Sequence, residues 1–452
     1  VLVIDRDNIN EFIHELSKQD NILIYPIYTD QYYHYRKTEL SLLIFYFRET
    51  DKTYVYINKH YDKLSDNDIT LTDFIEYLQK KIIYVFDKKS IPSELFNFFM
   101  NIIDINLMLM LNNLQQPVFT SNAIYRLYNK GGSRIKYQNY IIPIEKHLDI
   151  FEEYKNYYNL NFNNFKITTE LLTSKYYKFY NQIAIYCFRT IERAGIKVDI
   201  QEFKQHFISK YRFHLKNDND SIIYCNYNLY TTTGRPSNTF NGINFAALSK
   251  SDGTRKSLIS RFENGNLVEF DYSAFHPSLM AIFADIEMDN VYKYTARELY
   301  GKEHISEEEY NEIKKIVFRQ IYGGISSEFL QYEFYSKINE LINSMWKKYR
   351  KNKEIISDIS SRICKYQVEN KNKLWNYMLQ LYETEYNIKT ILKLLKYLKP
   401  LQSKLILYTY DSFLFDIHPD EDIINDIKKI IEQNRFSVSV SVGKNYQNMN
   451  KI

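Results

Sequence analysis

The sequence predicts an α+β protein in which an α/β domain precedes a longer region that is mostly helical and carries its own short strands. Three observations lead there. The chain has 452 residues, enough for two or three domains with sizeable cores. Its 43 Tyr and 29 Phe, against 11 Gly and 8 Pro, exclude disordered, collagen-like and loop-rich scaffolds. The apolar pattern also changes along the chain, from short runs before about residue 120 to helical periodicity afterwards.

The runs Val1 to Ile4, Ile22 to Ile27, Leu40 to Phe47, Tyr54 to Ile57 and Ile82 to Phe86 read as strands. Ile9 to Leu16 and Leu71 to Leu78 alternate with them at helical spacing. Residues 145 to 215 read as helical, with the polar stretch Tyr157 to Asn164 as a linker and a domain boundary near 150. From Tyr224 onward come turn signals, a strand at Leu267 to Phe270, helices from Ser278 to Leu395, and a closing pair of strands, Lys404 to Tyr410 and Phe413 to Ile417.

Composition narrows the setting. The richest apolar stretches, Leu40 to Phe47 and Ile105 to Leu111, fall short of the roughly 18 residues that cross a bilayer, so no membrane span is expected. Cys187, Cys225 and Cys364 are too dispersed for a zinc pattern and too few for a disulfide framework, which predicts an intracellular, reducing compartment. The strand-like start, Val1 to Asp5, lacks the basic region and cleavage site of a signal peptide. A net charge of +4 neither requires nor excludes a polyanionic partner.

Two aspartates end apolar strands. Asp271 follows Leu267-Val268-Glu269-Phe270, and Asp411 sits at the corner between Leu405 to Tyr408 and Phe413 to Phe415. On neighbouring strands, about 4.8 Å apart, such a pair could hold two Mg²⁺ for in-line phosphoryl transfer; singly, each is as well explained as a turn cap. Lys314, Phe318 and Tyr322 recur at i, i+4, i+8 after the acidic helix start Ser306-Glu307-Glu308-Glu309 and before Gly323-Gly324. That face presents an ammonium and two rings, suited to a nucleoside triphosphate, although a stripe at this spacing taken alone is more often helix core.

Together these residues resemble the family A DNA polymerases, the bacterial polymerase I class. Asp271-Tyr272-Ser273 is similar to motif A, Lys314-xxx-Phe318-xxx-Tyr322-Gly323 to motif B, and Tyr410-Asp411-Ser412 to motif C. Thr233-Gly234-Arg235-Pro236-Ser237 resembles the family's Thr-Gly-Arg turn, and Arg193 to Asp199 the entry to the polymerase domain. The resemblance implies a palm and fingers that extend primer-template DNA with deoxynucleoside triphosphates. Asp271, Asp411 and the carbonyl of Tyr272 would ligate two Mg²⁺. Lys314 would bind the phosphates, Phe318 would lie against the sugar and Tyr322 would hold the templating position. Arg235, Asn244 and Gln380 would contact primer and template.

The departures carry expectations of their own. His276 stands where motif A usually has the Glu that blocks a ribose 2′-hydroxyl, Ser412 follows Asp411 in place of Glu, and Tyr310 replaces the phosphate-binding Arg of the fingers, with Lys315 and Arg319 on other faces. An imidazole is large enough to exclude the hydroxyl, so deoxynucleotides are expected. An RNA-polymerizing or primase-like enzyme and a catalytically silent accessory subunit are the rival readings.

The N-terminal part resembles the family's ribonuclease-H-like 3′-5′ exonuclease domain, but Pro26 and Tyr28 occupy its metal-binding positions and Asp104, the one carboxylate that remains, reads as a helix cap rather than a ligand, so a degenerate domain without proofreading is expected. Thr233 follows Asp199 by 34 positions, too few for a long thumb. The expected organisation is an exonuclease-like domain over 1–150, linker and reduced thumb over 151–235, and palm and fingers over 236–452, with fingers at about 285–370. A reduced thumb implies weak, salt-dependent grip and a processivity or replisome partner. Basic clusters at Lys130 to Arg134, Lys204 to Lys216 and Lys347 to Lys353 are candidates for phosphate contact or plain solvated surface.

Overall fold

Leu40–Phe47 is buried at all eight positions, because as a central strand it is covered on both faces. The computed structural model describes residues 1–30, 34–61, 69–98, 101–115, 142–165, 171, 173–211, 214–217, 219–288, 290–302, 304–433 and 435–452. They form two units, Val1–Tyr186 and Cys187–Ile452. The division falls within the helical segment Ile185–Ala194, while position 150 lies inside a helix, Ile144–Phe165.

In the first unit the strands are β1 (Leu2–Val3), β2 (Asn21–Tyr28), β3 (Leu40–Phe47), β4 (Lys52–Ile57), β5 (Ile82–Val85) and β6 (Ile102–Asp104), in the sheet order β1-β4-β3-β2-β5-β6. β2, β3 and β4 run antiparallel in succession, and β5 and β6 add in parallel through crossovers. Pro26 lies beyond Leu23, the last residue of β2 that pairs with β5, where the strand carries one ladder and tolerates a missing N–H. The helix α1 (Ile9–Lys18) buries Phe12 and Leu16 on this sheet, with the Phe12 ring 5.4 Å from Phe45 and 5.3 Å from Phe74. The helix α2 (Ile105–Leu111) follows β6 directly.

Two expectations change here, and one strand was not foreseen. Tyr157 to Asn164 is no linker but part of α3 (Ile144–Phe165). Tyr158 and Phe162 pack their rings on Tyr84 at 5.5 and 5.7 Å, and Asn159 donates to the Tyr46 hydroxyl at 2.7 Å, so tertiary burial overrides a polar composition. Leu71 to Leu78 is a 3₁₀ turn, Leu71–Asp73, and a four-residue helix, Ile75–Leu78, because the Thr70/Asp73 capping box starts a turn that Phe74, at φ −138° and ψ −4°, interrupts. β6 is too short to have announced itself as a strand.

Asp104 is wholly buried at the N-cap of α2. Its Oδ1 accepts the Leu107 N–H at 2.9 Å and its Oδ2 the Lys88 N–H at 2.8 Å. The Lys88 ammonium, also buried, donates to the Asn181 carbonyl at 3.0 Å. Burial lowers its pKa to about 8, against the opposing pull of Asp104. Since the unfolded chain holds that proton up to about 10.4, the folded state gains stability as pH rises from about 8 to about 10.4. Relative to Lys88→Met, the wild type should therefore gain up to about 3 kcal/mol over that window. Urea titrations of both proteins at pH 7 and pH 10.5 measure it, and parallel pH dependences would refute it.

The second unit is built on an antiparallel sheet of β7 (Asn266–Tyr272), β8 (Lys404–Thr409), β9 (Ser412–Ile417), β10 (Val438–Gly443) and β11 (Asn450–Lys451), ordered β8-β9-β7-β10-β11. Its helices include α4 (Phe275–Phe283), α5 (Val291–Tyr300), α6 (Glu307–Gly323), α7 (Glu333–Asn352), α8 (Lys371–Leu398) and α9 (Ile424–Glu432). One apolar core joins α4 to α8, drawing Met280, Val291, Ile313, Val317, Ile338 and Trp375 together. No helix among the described residues is long and apolar enough to cross a membrane.

Candidate active site

β7 alternates as a half-covered strand should. Val268 and Phe270 are buried, while Glu269 and Asp271 share the partly open face. Asp271 pairs with Ser412 on β9 and Ser439 on β10, so it stands in the middle of the sheet and beside the β8–β9 corner. That corner has two residues, Tyr410 and Asp411. Tyr410 takes a φ of +64°, left-handed backbone that suits the primed twist of a two-residue hairpin at some conformational cost for a tyrosine. The Asp411 carbonyl accepts the Tyr272 N–H at 2.9 Å, which fastens the corner to the end of β7. Two strand ends distant in sequence thus bring the two carboxylates to one place.

α6 brings the third element. Ser306 caps it in a reciprocal box with Glu309, and Gly324 ends it at a φ of +104°. Its buried face is Ile313, Val317, Gln320 and Ile321. Lys314, Phe318 and Tyr322 form a different face, with Phe318 36% exposed, so this aromatic stripe is not the helix's core face. The Lys314 ammonium lies 5.7 Å from the Phe318 ring centre, and the Phe318 and Tyr322 rings are 5.8 Å apart.

These groups surround a cavity of about 310 Å³ lined by Asp271, Tyr272, His276, Lys314, Phe318, Tyr322, Arg235 and Asp411, with Tyr292, Tyr310 and Glu383. Eight of the ten residues singled out in the sequence therefore meet in one place. The other two do not line it. Asn244 is exposed and caps the turn Phe245–Ala247 through Ala246 N–H at 3.1 Å, while Gln380 accepts the Thr233 hydroxyl at 3.2 Å beside the Thr-Gly-Arg turn. Lys315 and Arg319 are exposed and outside the cavity lining. The Tyr272 side chain turns inward and stacks on Phe275 at 4.1 Å, leaving its backbone as the part near the carboxylates. The basic run on α7 is exposed except for Tyr349, whose ring stacks on Trp346 at 5.5 Å. The run Lys130 to Arg134 lies outside the described residues.

Burial pushes the Asp271 carboxyl up to about 6, helped by the charges of Asp411 and Glu269 and only partly opposed by Lys250 and Lys314. Burial raises Asp411 as well, with Glu383 adding to it and Arg235 and His276 opposing. Two carboxylates both raised by burial and by neighbouring acidic groups in a half-closed cavity are an uncompensated negative site, and a divalent cation is what would relieve it. Among the described residues no group of three or more His, Cys, Asp or Glu side chains forms a metal cluster. The donor set nevertheless suits Mg²⁺, which takes one or two carboxylates and completes its shell with water and substrate phosphates.

Two acidic residues escaped the sequence reading. Glu269 accepts the Ser412 hydroxyl at 3.3 Å and the Tyr446 hydroxyl at 2.7 Å. Its place two residues before Asp271 on one strand face was the available signal. Glu383 is 2% exposed and lies 2.8 Å from Arg235 Nε and 3.4 Å from His276 Nε2. Nothing in the sequence set it apart, since the same helical stretch Leu379 to Leu394 also carries Glu385, Lys389 and Lys393. His276 does more than pack against Tyr322, since its Nδ1 lies 2.6 Å from the Tyr322 hydroxyl.

No protein-family model matches the sequence, and no curated protein matches it. Among solved structures, the POL domain of Pol1 from M. smegmatis, in complex with DNA primer-template and dNTP, superposes with a TM-score of 0.64 at 13% identity. The superposition covers 99% of this chain and 99% of that one. The chain therefore has the fold of a Pol1 POL domain, the architecture that its motif order implies.

Proposed function

We propose that the protein is a template-directed DNA polymerase that adds deoxynucleoside triphosphates to a primer 3′ end. The observation that carries this is the single cavity in which Asp271, Asp411, Lys314, Tyr322, His276 and Arg235 converge from four separate segments. Its fold is shared with a protein whose structure holds DNA primer-template and dNTP, which supports the same substrates here. A chain that only bound nucleic acid would have no physical need to assemble all of them around paired carboxylates.

In this reading Asp271, Asp411 and the Tyr272 carbonyl hold two Mg²⁺, which supply charge neutralisation of the attacking and leaving oxygens. Lys314 grips the triphosphate as a point charge and Phe318 lies along the sugar. His276, fixed against Tyr322, fills the space that a 2′-hydroxyl would need. Arg235 faces the primer terminus across the minor groove, where correct pairs present nearly the same acceptors. Primer extension with Mg²⁺, offering deoxy- or ribonucleotides separately, tests it. Extension with deoxynucleotides and a drop in sugar discrimination of at least tenfold in His276→Ala are expected. No extension would favour the silent accessory subunit, and equal use of both sugars would favour the RNA-polymerizing reading.

The first unit we read as a ribonuclease-H-like exonuclease domain that has lost its chemistry. Support comes from the antiparallel β2-β3-β4 meander extended in parallel by β5 and β6, and from Asp104, whose carboxylate oxygens are both taken by backbone N–H groups. A 3′-mispaired primer should remain intact through prolonged incubation with Mg²⁺ and no nucleotide. Shortening that Asp104→Ala abolishes would refute this. Between Asp199 and Thr233 the described residues hold one helix of seven residues, Ile200–His206, consistent with a reduced thumb. Short products in single-encounter extension, shortening further with salt, are the expected consequence.

A further inference from the structure

Glu383 lies midway along α8, 2% exposed, between apolar buried neighbours such as Leu379, Leu381 and Ile388. Its carboxylate is divided between two partners. Oε2 lies 2.8 Å from Arg235 Nε and Oε1 3.4 Å from Arg235 Nη2, while Oε1 also lies 3.4 Å from His276 Nε2. Each partner is held on its far side as well: His276 Nδ1 by the Tyr322 hydroxyl at 2.6 Å, and the Arg235 guanidinium by the Tyr410 ring at 3.8 Å. A buried carboxylate is costly unless paired, and removing it takes the counter-charge from a partly exposed guanidinium and from a largely buried imidazole.

The imidazole is held at both ring nitrogens, with Nε2 3.4 Å from the Glu383 carboxylate and Nδ1 2.6 Å from the Tyr322 hydroxyl, which fixes the plane of the ring. The guanidinium donates Nη2–H to Glu383 Oε1 and keeps its Nε 2.8 Å from Oε2 as a charge pair, which sets its place beside the cavity. We propose that Glu383 is a positioning residue shared by the group that meets the incoming sugar, His276, and the group that meets the primer terminus, Arg235. One carboxylate then governs both exclusion of ribonucleotides and rejection of a mispaired primer end. This rests on the polymerase reading above.

Single-nucleotide incorporation by the wild type, Glu383→Ala, Glu383→Gln and His276→Ala tests it, with deoxy- or ribonucleotide on matched or mispaired primers. In Glu383→Ala both the deoxy-to-ribo and the matched-to-mispaired ratios of kcat/KM should fall about tenfold. Glu383→Gln keeps an acceptor oxygen and should recover at least half of each loss on a logarithmic scale. His276→Ala should lower the sugar ratio alone. If Glu383→Ala does not fold, Glu383→Asp, which withdraws the carboxylate by one methylene, must lower both ratios. Equal loss of kcat/KM on all four substrate combinations, or movement of one ratio only, would overturn the inference while leaving the polymerase reading intact. A wild type that extends no primer would overturn both.

Discussion

Replacing Asp271 or Asp411 by Ala should lower primer extension by at least about a thousandfold, on the order of 4 kcal/mol of transition-state stabilisation. Each supplies a carboxylate to a cavity where the other cannot compensate, since Glu269 and Glu383 are already engaged by Tyr446 and Arg235. Rapid-quench measurements of single turnovers, with nucleotide binding measured separately, check that the loss lies in the chemical step. Full activity in either variant would remove the proposed site. The companion effect has the opposite sign. With its carboxyl pushed up to about 6, Asp271 is ionised at neutral pH against Asp411 and Glu269. For an acid raised in the folded state, the stabilising protonated form is present at low pH and lost as pH rises from about 3.9 through about 6. Asp271→Asn should therefore melt higher than the wild type in chelator at pH 7.5, by roughly 2–4 °C for about 1 kcal/mol after allowance for water in the cavity. The difference should vanish at pH 4.

Lys314→Ala should lower kcat/KM for nucleotide incorporation by about 10- to 100-fold, mostly through a raised KM, because a charge-assisted hydrogen bond is worth about 1.5–3 kcal/mol. The physical reason is local. Tyr310, one turn earlier, brings a ring and no charge to the cavity, and Arg235 is committed to Glu383 and Tyr410. In the proposed function Lys314 is thus the α6 cation in the cavity lining that meets the triphosphate. Lys315→Ala, on an exposed face outside the cavity, should stay within about twofold of the wild type. Steady-state kinetics of both variants decide it, and equal losses in the two would assign the effect to surface charge.

Much of this was legible from the chain alone where a signal is local. The β3 and β4 runs, the capping box of α6 and the β8–β9 hairpin all carry their own patterns of burial, caps and turns. Asp271, Lys314, Tyr322 and Asp411 were identifiable because short motifs fix their spacing to a strand end, a helix face or a corner. What failed was whatever depended on neighbours far away in sequence. Tyr157 to Asn164 reads as polar chain and is helix because Tyr84 and Tyr46 lie against it.

The sequence by itself determined which residues are available to the chemistry: two carboxylates, one lysine, two rings, and an imidazole in place of a Glu. Only the tertiary structure decided that Glu383 joins them. It lies 107 positions from His276 and 148 from Arg235, and no periodicity within α8 registers a partner at that distance. Charge pairing at depth depends on which surfaces exclude water together, and that is a property of packed elements, not of their order along the chain.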